Sequence, residues 1–310
     1  MTIALVDPGP GWIPLLRGHA RRHGFAALGL GIALLAVLAL LVQSLSQVLA
    51  GTAAPGLRLA MLGGAAGLAA TALGALPGLV LRDLPQRVED ILLGLAAGMM
   101  LAASAFSLLL PGLEAGAALL GSKPLGAAVV VFGMALGVLL MLGLDEFTPH
   151  EHDHTGPCGP GYERCGRIWL FVFAIALHNL PEGMAIGASF AQGDLAVGLP
   201  LTSAIALQDI PEGLAVALAL RGAGFAPLLS VLVAAASGLL EPLGALLGVG
   251  LSSGLALAYP AGLGLAAGAM LFVVSHEVIP QTHRNGHQTS ATLGLMCGFA
   301  MMMVLDTTLT

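Results

Sequence analysis

The sequence predicts an all-α integral membrane protein, a polytopic bundle of helices. Of its 310 residues, 57% are hydrophobic and only 9% are charged, and the mean hydropathy is +0.94. Soluble chains carry about a quarter charged residues. The 44 glycines are a further observation, because small residues let membrane helices approach one another closely. Together these features exclude a soluble globular protein.

Nine stretches are long enough to cross a bilayer, which takes roughly 20 mostly apolar residues. They cover residues 25–49, 57–81, 91–112, 124–144, 168–191, 197–220, 225–249, 257–280 and 289–308. Short connections join most of them, whereas the polar, glycine-rich connection 145–167 is predicted to be a mobile loop. We therefore predict a cytoplasmic or interfacial segment 1–24, an extra N-terminal transmembrane helix 25–49 and an eight-helix domain 57–308.

The distribution of Lys and Arg predicts the orientation of these spans. With a cytoplasmic N-terminus, only Arg58 and Lys123 of the 11 basic residues face outward. The cytoplasmic side of a membrane protein carries the excess of basic residues. This pattern places the C-terminus outside and the loop 145–167 in the cytoplasm.

Composition excludes several functional classes. No basic run with interleaved aromatic residues indicates nucleic-acid binding. The three cysteines form neither a disulfide framework nor a CxxC motif. An intramembrane metalloprotease would need HExxH on one helix, but the pair His276–Glu277 has no histidine four residues after His276. The chain is therefore predicted not to be an enzyme.

Two segments inside predicted spans are near copies of each other. Residues 178–183 read HNLPEG and residues 208–213 read QDIPEG. Both begin about ten residues into their spans, a depth of about 15 Å. Because the two spans are antiparallel neighbours, the segments can meet near the membrane midplane. Pro181 and Pro211 are each expected to break or kink their helix, since proline cannot donate a backbone hydrogen bond.

Carboxylates inside the apolar runs suggest a cation or a proton relay. These acids are Glu182, Asp209, Glu212, Glu241 and Glu277, and no Lys or Arg lies within their runs. Ionisable residues at membrane depth are functional candidates by default. A bound metal would offset the repulsion between several buried carboxylates.

The spacing and types of these residues favour a transition metal. His178 and Glu182 share a helix face at i, i+4, as do Gln208 and Glu212. A set of nitrogen and oxygen ligands suits Zn²⁺, Fe²⁺, Mn²⁺, Co²⁺ or Cd²⁺ better than Mg²⁺. Met100 is a candidate thioether ligand that favours Zn²⁺ or Cd²⁺. A carboxylate such as Glu182 could bridge two ions, so the site is expected to be binuclear.

Structural alternatives apply to each of these residues. His178 taken alone could be a core histidine, Met100 could fill a packing gap, and Glu241 could be a protonated packing residue. Further polar residues are candidates for the transport path. They are His276, Glu277, Asp306, Asp90, Asp145, His150, His152 and His154. His276–Glu277 could instead be an interfacial anchor, and Asp90 could be an acid at a helix N-terminus. The loop histidines could belong to a solvated loop.

The paired motifs resemble those of the ZIP family of divalent-metal transporters. The resemblance rests on HNxPEG at 178–183, on Pro211-Glu212-Gly213 and on the histidine-bearing loop before them, and it covers about 57–308. It implies metal-site roles for His178, Asn179, Glu182, Asp209 and Glu212. Gln208 stands where relatives often have histidine, which suggests the bacterial branch. This difference from the family pattern also favours a second metal position with mainly oxygen ligands, formed by Asn179, Asp209 and Glu241.

The resemblance implies a bacterial inner-membrane importer that moves Zn²⁺, and also Cd²⁺, Fe²⁺ or Mn²⁺, into the cytoplasm by alternating access. The metal is the transported substrate, and no cofactor is expected. The partners are divalent metal ions and the lipid bilayer, and the glycine-rich faces permit a homodimer. The alternatives are a metal exporter of the same family and a proton-coupled carrier of an organic solute.

Overall fold

The computed structural model describes residues 12–25, 27–31, 35, 42, 55–82, 84–147, 150–152, 156–158, 167–252 and 257–309. These residues are helical apart from turns and one small hairpin. The helices are α1 (Trp12–Arg22), α2 (Pro55–Ala75), α3 (Gln86–Ala103), α4 (Leu110–Leu120), α5 (Lys123–Phe147), α6 (Arg167–Phe190), α7 (Leu195–Gly222), α8 (Pro227–Ser237), α9 (Leu240–Ser252), α10 (Ala258–Val273), α11 (Ile279–Thr282) and α12 (Gln288–Leu309). The strands β1 (His150–His152) and β2 (Gly156–Cys158) pair antiparallel.

The prediction of a polytopic helical membrane protein is confirmed. Seven helical stretches of the described residues are long and apolar enough to cross a membrane. They are Gly56–Leu79, Gln86–Leu120, Lys123–Phe147, Leu195–Gly222, Pro227–Ser252, Ala258–Thr282 and Gln288–Thr308. α6, with 24 residues, is of similar length. Of the predicted extra span 25–49, only residues 25, 27–31, 35 and 42 are described, and these are helical.

Two helices extend beyond their predicted bounds. The span predicted at 91–112 is a helical stretch of 35 residues, Gln86–Leu120, with a π-helical segment at Ser104–Leu109. A second π-helical segment, Val274–Val278, follows α10. α5 continues through Phe147, so Asp145 and Glu146 are helical and do not belong to the predicted loop 145–167. The apolar ring of Phe147, which contacts the ring of His19 at 5.2 Å, favours this extension.

Pro181 and Pro211, which are predicted to break or kink their helices, do not end them. Each proline lies inside an uninterrupted helix, α6 or α7. A proline removes a single backbone hydrogen bond, and packing against neighbouring helices can compensate for that loss within a membrane. The span predicted at 225–249 is interrupted instead, between α8 and α9 at Gly238–Leu239, immediately before Glu241.

The long helices pack as two bundles. We call α2, α6, α7, α8 and α9 the acidic bundle, in which α6 packs along α9 and α2 packs along α7. We call α3, α4, α5, α10 and α12 the companion bundle, in which α3 packs along α12 and α5 along α10. The bundles meet where α6 contacts α10 and α3 contacts α7. The main apolar core includes residues from both.

Glycines bring α6 and α9 into backbone contact. A Cβ at Gly183 would collide with the backbone of Glu241, and one at Gly187 would collide with that of Ala245. Gly248 lies equally close to the backbone of Met184. Small residues at such positions allow close approach between membrane helices. This contact places Glu182 on α6 near Glu241 on α9.

Candidate metal site

Three buried carboxylates from α6 and α7 converge. Glu182, Asp209 and Glu212 each offer an oxygen, and these atoms lie within 4.8 Å of one another. Their side chains are almost fully buried, with exposed fractions of 1%, 2% and 4%. Mutual repulsion at this distance would be costly without a cation. The arrangement is therefore suited to binding a metal ion.

The helices position these carboxylates through simple spacing. Asp209 and Glu212 are i, i+3 on α7 and share a face. The chain turns between α6 and α7 over residues 191–194, and Asp194 caps α7 by accepting a hydrogen bond from the Ala196 N–H at 2.8 Å. The short turn makes the helices antiparallel neighbours, which brings Glu182 to the acids of α7.

Gln208 orients one of the carboxylates. Its Nε2 donates to Glu182 Oε1 at 2.6 Å. Among the described residues, Glu182 Oε2, Gln208 Oε1, Asp209 Oδ2 and Glu241 Oε2 are buried without a hydrogen-bond partner. Buried polar atoms are nearly always paired. Four orphaned oxygens in neighbouring helices match the donor set that a divalent cation requires.

Glu241 joins this cluster from α9. Its Oε1 accepts a hydrogen bond from Thr71 Oγ1 at 2.9 Å, and the side chain is fully buried. A Cβ added at Gly67 would collide with Glu241 Oε2 and lie 3.1 Å from Asp209 Oδ2. The absence of a side chain at Gly67 therefore leaves space where these two carboxylates approach each other.

The remaining predicted ligands are also buried. His178 and Asn179 are 3% and 2% exposed, and His178 Nε2 lies 3.9 Å from Glu277 Oε2 in the π-helical segment after α10. This contact connects the acidic bundle to the companion bundle. Met100, on α3, belongs to the main apolar core with Met99. This environment fits a packing role for Met100 as well as a ligand role.

The path candidates lie towards the helix ends and have partners of their own. His276 Nε2 is 3.8 Å from Asp145 Oδ2, and Asp306 Oδ1 accepts a hydrogen bond from Ser107 Oγ at 2.8 Å. Ser107 lies in one π-helical segment and His276 in the other. Such segments frequently mark functional sites.

Asp90 has the environment of a structural residue. It is 1% exposed, and it accepts hydrogen bonds from Asn285 Nδ2 at 3.0 Å and Gln86 Nε2 at 3.3 Å. Its Oδ2 also lies 2.9 Å from His287 Nδ1. These contacts join the start of α3 to the turn before α12, so the alternative of a simple N-terminal acid does not account for it.

The loop histidines are only partly described. His150 and His152 lie in β1, where their backbones pair with Cys158 and Gly156. His154 lies outside the described residues. Thr71 and Gly67 are not among the residues predicted from sequence. With Gly64 and Gly74 they form a row of small residues spaced three or four apart along α2, a pattern that could have indicated a close helix contact.

The chain is similar to known zinc transporters. A family model described as ZIP zinc transporter matches residues 148–306. The zinc transporter ZIPB of Bordetella bronchiseptica is 64% identical over 291 residues, covering 94% of each chain. The zinc transporter GufA of Myxococcus xanthus is 42% identical over 243 residues, covering 77% of this chain and 94% of its own. The human zinc transporter ZIP11 is 29% identical over 320 residues, with 76% and 93% covered.

Proposed function

Because this chain belongs to the ZIP family of zinc transporters, we propose that its buried carboxylate cluster is the path for metal entering the cytoplasm. The protein is a divalent-metal transporter and not an enzyme. Zn²⁺ is its main substrate in this proposal, with Cd²⁺, Fe²⁺ or Mn²⁺ as further substrates. The proposed location is the bacterial inner membrane, with the N-terminus cytoplasmic and the C-terminus periplasmic.

The convergence of Glu182, Asp209 and Glu212 carries this proposal. Their oxygens lie within 4.8 Å of one another, and the sequence has no Lys or Arg between Arg167 and Arg221. A proton relay for an organic solute would not need His178 beside these acids. A divalent cation accounts both for the concentration of negative charge and for the orphaned oxygens.

Two unequal metal positions account for the mixture of ligands. We assign His178, Glu182, Gln208 and Glu212 to a nitrogen-containing position, with Met100 as an added thioether. Asn179, Asp209 and Glu241 belong to an oxygen-rich position. Glu182 and Glu212 bridge the two. The nitrogen-containing position favours Zn²⁺ and Cd²⁺, because imidazole and thioether ligands suit these metals better than Mg²⁺.

Alternating access follows from the division into bundles. The four clustered carboxylates, Glu182, Asp209, Glu212 and Glu241, all belong to the acidic bundle. A movement of that bundle against the companion bundle would therefore carry the metal with these ligands and away from Met100 on α3. Alternating access at a central site generally uses such movements. Metal would enter past Asp306 and leave past Glu277, His276 and Asp145, towards the histidines of the loop. The proposed protein unit in the bilayer is a homodimer packed through glycine-rich faces.

Flux into proteoliposomes tests the proposal. Purified protein should transport Zn²⁺ and Cd²⁺ faster than Mn²⁺, and Mg²⁺ slowest. The double variant His178→Ala, Glu212→Ala should be reduced at least about a hundredfold, because it removes one nitrogen and one carboxylate ligand. Glu114→Gln, at an exposed acid on α4, is the matched control and should transport at the parental rate. Equal Zn²⁺ flux in the double variant and the parent would refute the site.

Direction and topology need measurements in cells. Expression in a zinc-starved bacterium should raise cellular zinc, whereas an exporter would lower it. A cysteine at Thr155 should react with a membrane-impermeant reagent only from the cytoplasmic side. Labelling from the periplasm would contradict the proposed orientation.

A further inference from the structure

A second cluster of metal-binding side chains lies outside the acidic bundle. His19 Nε2 is 3.1 Å from Glu146 Oε1, and His23 Nδ1 is 3.0 Å from the same oxygen. One ligand atom from each of the three residues lies within 4.8 Å of the other two. The cluster joins the N-terminal helical segment to the end of α5.

The backbone holds the two histidines one turn apart. His23 N–H donates to the His19 carbonyl at 3.0 Å, and Ala27 N–H donates to the His23 carbonyl at 2.9 Å, so helical hydrogen bonding continues through His23. The two imidazoles therefore share a face at i, i+4. Their rings stack at 4.4 Å, and the edge of Phe147 packs on His19 at 5.2 Å. The rings are thus oriented before any ligand arrives.

The separations fit ligands around one metal ion. Zn²⁺ binds imidazole nitrogen and carboxylate oxygen at about 2.1 Å, so two ligands 90–110° apart are separated by about 3.0–3.4 Å. The two nitrogen–oxygen distances, 3.1 and 3.0 Å, match. A metal lets both imidazoles bind as neutral ligands.

The cluster is also accessible to solvent. The side chains of His19, His23 and Glu146 are 16%, 44% and 32% exposed. This partial exposure leaves room for water to complete the coordination and for the metal to exchange. The carboxylate site in the acidic bundle, by contrast, is closed to solvent at its ligands.

We propose that His19, His23 and Glu146 form a further metal site, which binds a divalent transition metal through two imidazole nitrogens and one carboxylate oxygen. This set suits Zn²⁺ better than Ca²⁺ or Mg²⁺. Occupancy clamps the N-terminal helix onto α5. Binding at this site is independent of the proposed transport function.

A role in receiving transported metal does rest on the proposed function. Asp145 precedes Glu146 in α5, and its carboxylate lies 3.8 Å from His276. The neighbour of His276, Glu277, lies 3.9 Å from His178. Polar side chains therefore lead stepwise from the buried site to the exposed one, which accepts the ion as it leaves.

Metal binding by the full-length protein in detergent tests the site. The background variant has His150, His152 and His154 changed to Ala, and Glu182 and Glu212 changed to Gln, so that the loop and the transport site no longer compete. We expect this background to bind Co²⁺, used as a coloured probe for Zn²⁺, at the His19 site. Adding His19→Ala and His23→Ala should remove about one Co²⁺ per chain or weaken its affinity at least tenfold, since even the loss of a residue that only orients a ligand costs about tenfold or more. Glu146→Gln should do the same.

The matched control is Arg17→Ala in the same background, at an exposed position of α1, and it should bind Co²⁺ normally. Unchanged Co²⁺ stoichiometry and affinity after loss of both histidines would overturn the proposal. The experiment measures Co²⁺ binding and not flux, so its result does not depend on whether the carboxylate cluster is the transport site.

Protease cleavage gives a second, independent measurement. Arg21 and Arg22 are exposed, and clamping by metal should slow trypsin cleavage beside them at least about fivefold on addition of Zn²⁺, since cleavage follows the population of the opened helix. The protection should vanish when His19 and His23 are replaced. Equal cleavage rates with and without Zn²⁺ in the background variant would contradict the clamp.

Discussion

The two bundles are built alike but contain different chemistry at their centres. In both, glycines bring pairs of helices into backbone contact, as Gly183 does between α6 and α9 and Gly98 does between α3 and α12. In the acidic bundle, Glu182, Asp209 and Glu241 each have a buried carboxylate oxygen without a hydrogen-bond partner among the described residues. In the companion bundle, Asp90 and Asp306 lie near helix ends and accept hydrogen bonds from neighbouring side chains.

This difference separates two uses of a buried carboxylate. Asp90 has three polar partners, so its negative charge is compensated by the protein and serves to join helices. Glu182 has a single amide donor and two acidic neighbours, so its charge is left for a substrate. Burial alone does not distinguish Asp90 from Glu182, because the two acids differ in their hydrogen-bond partners.

The largest expected effect comes from replacing one buried carboxylate in each bundle by the amide of the same shape. Glu182→Gln should abolish high-affinity Zn²⁺ binding, with a loss of at least about a hundredfold, because it removes a carboxylate that bridges the two proposed positions. It should not destabilise the metal-free protein, since a repulsive charge is removed. Zn²⁺ titration and thermal unfolding in detergent measure the two quantities.

Asp90→Asn is the counterpart in the companion bundle. It should lower the free energy of unfolding by about 1.5–3 kcal/mol, the value of a hydrogen bond to a charged group, and leave Zn²⁺ affinity nearly unchanged. If both variants lost metal binding, the contrast between the bundles would be wrong.

The next effect concerns the space between the carboxylates. Gly67→Ala should weaken Zn²⁺ binding at least about tenfold, because the new Cβ would displace the Glu241 carboxylate and reorienting a ligand costs this much. Gly112→Ala on α4 is matched, since its Cβ would meet only ordinary contacts, the nearest at 3.4 Å. Isothermal titration should separate the two. Parental affinity in Gly67→Ala would show that Glu241 is not a ligand.

A smaller effect should appear in the pH dependence of Zn²⁺ affinity, and it distinguishes His178 on α6 from the oxygen ligands. Metal must displace protons from its ligands, so affinity falls as the pH is lowered, by about tenfold per pH unit for each proton released. His178→Ala should bind Zn²⁺ more weakly and with a shallower pH slope, since one titrating ligand is gone. Dissociation constants measured between pH 5.5 and 7.5 give the slope. An unchanged slope would exclude His178 as a ligand.

The smallest effect concerns a single hydroxyl. Thr71→Val removes the hydrogen bond to Glu241 Oε1 and should weaken Zn²⁺ affinity by about three- to tenfold, in line with about 1 kcal/mol for one hydrogen bond. Thr202→Val is the matched control, because Thr202 Oγ1 is buried without a partner. Competition titration with a zinc chelator can resolve this difference. Equal effects of the two substitutions would argue against a positioning role for Thr71.

Sequence was sufficient for the fold class and for the centre of the site. Apolar run length predicts helices crossing a membrane, and the equal depth of the two PEG motifs predicts that Glu182 and Glu212 meet, as they do. Both predictions depend on local periodicity and on one short turn, which are properties of neighbouring residues in the chain.

Contacts between distant helices could not be predicted in the same way. Thr71 and Glu241 are 170 residues apart, and His19 and Glu146 are 127 apart; no local pattern pairs them. The sequence also could not show that α6 and α7 continue through their prolines, because packing from neighbouring helices can compensate for the hydrogen bond that a proline removes. Glu146 was assigned to a loop on composition, whereas a further turn of α5 includes it.

The bundles are interleaved along the chain, and this has consequences for synthesis. Of the helices in the two bundles, α2 is made first and is followed by α3, α4 and α5. The rest of the acidic bundle, α6 to α9, is made only after them. The four carboxylates then emerge within residues 182–241, which at about 5–20 residues per second takes a few seconds. α10 and α12 come last. A nascent chain therefore contains all four acids before α10 and α12 of the companion bundle are made.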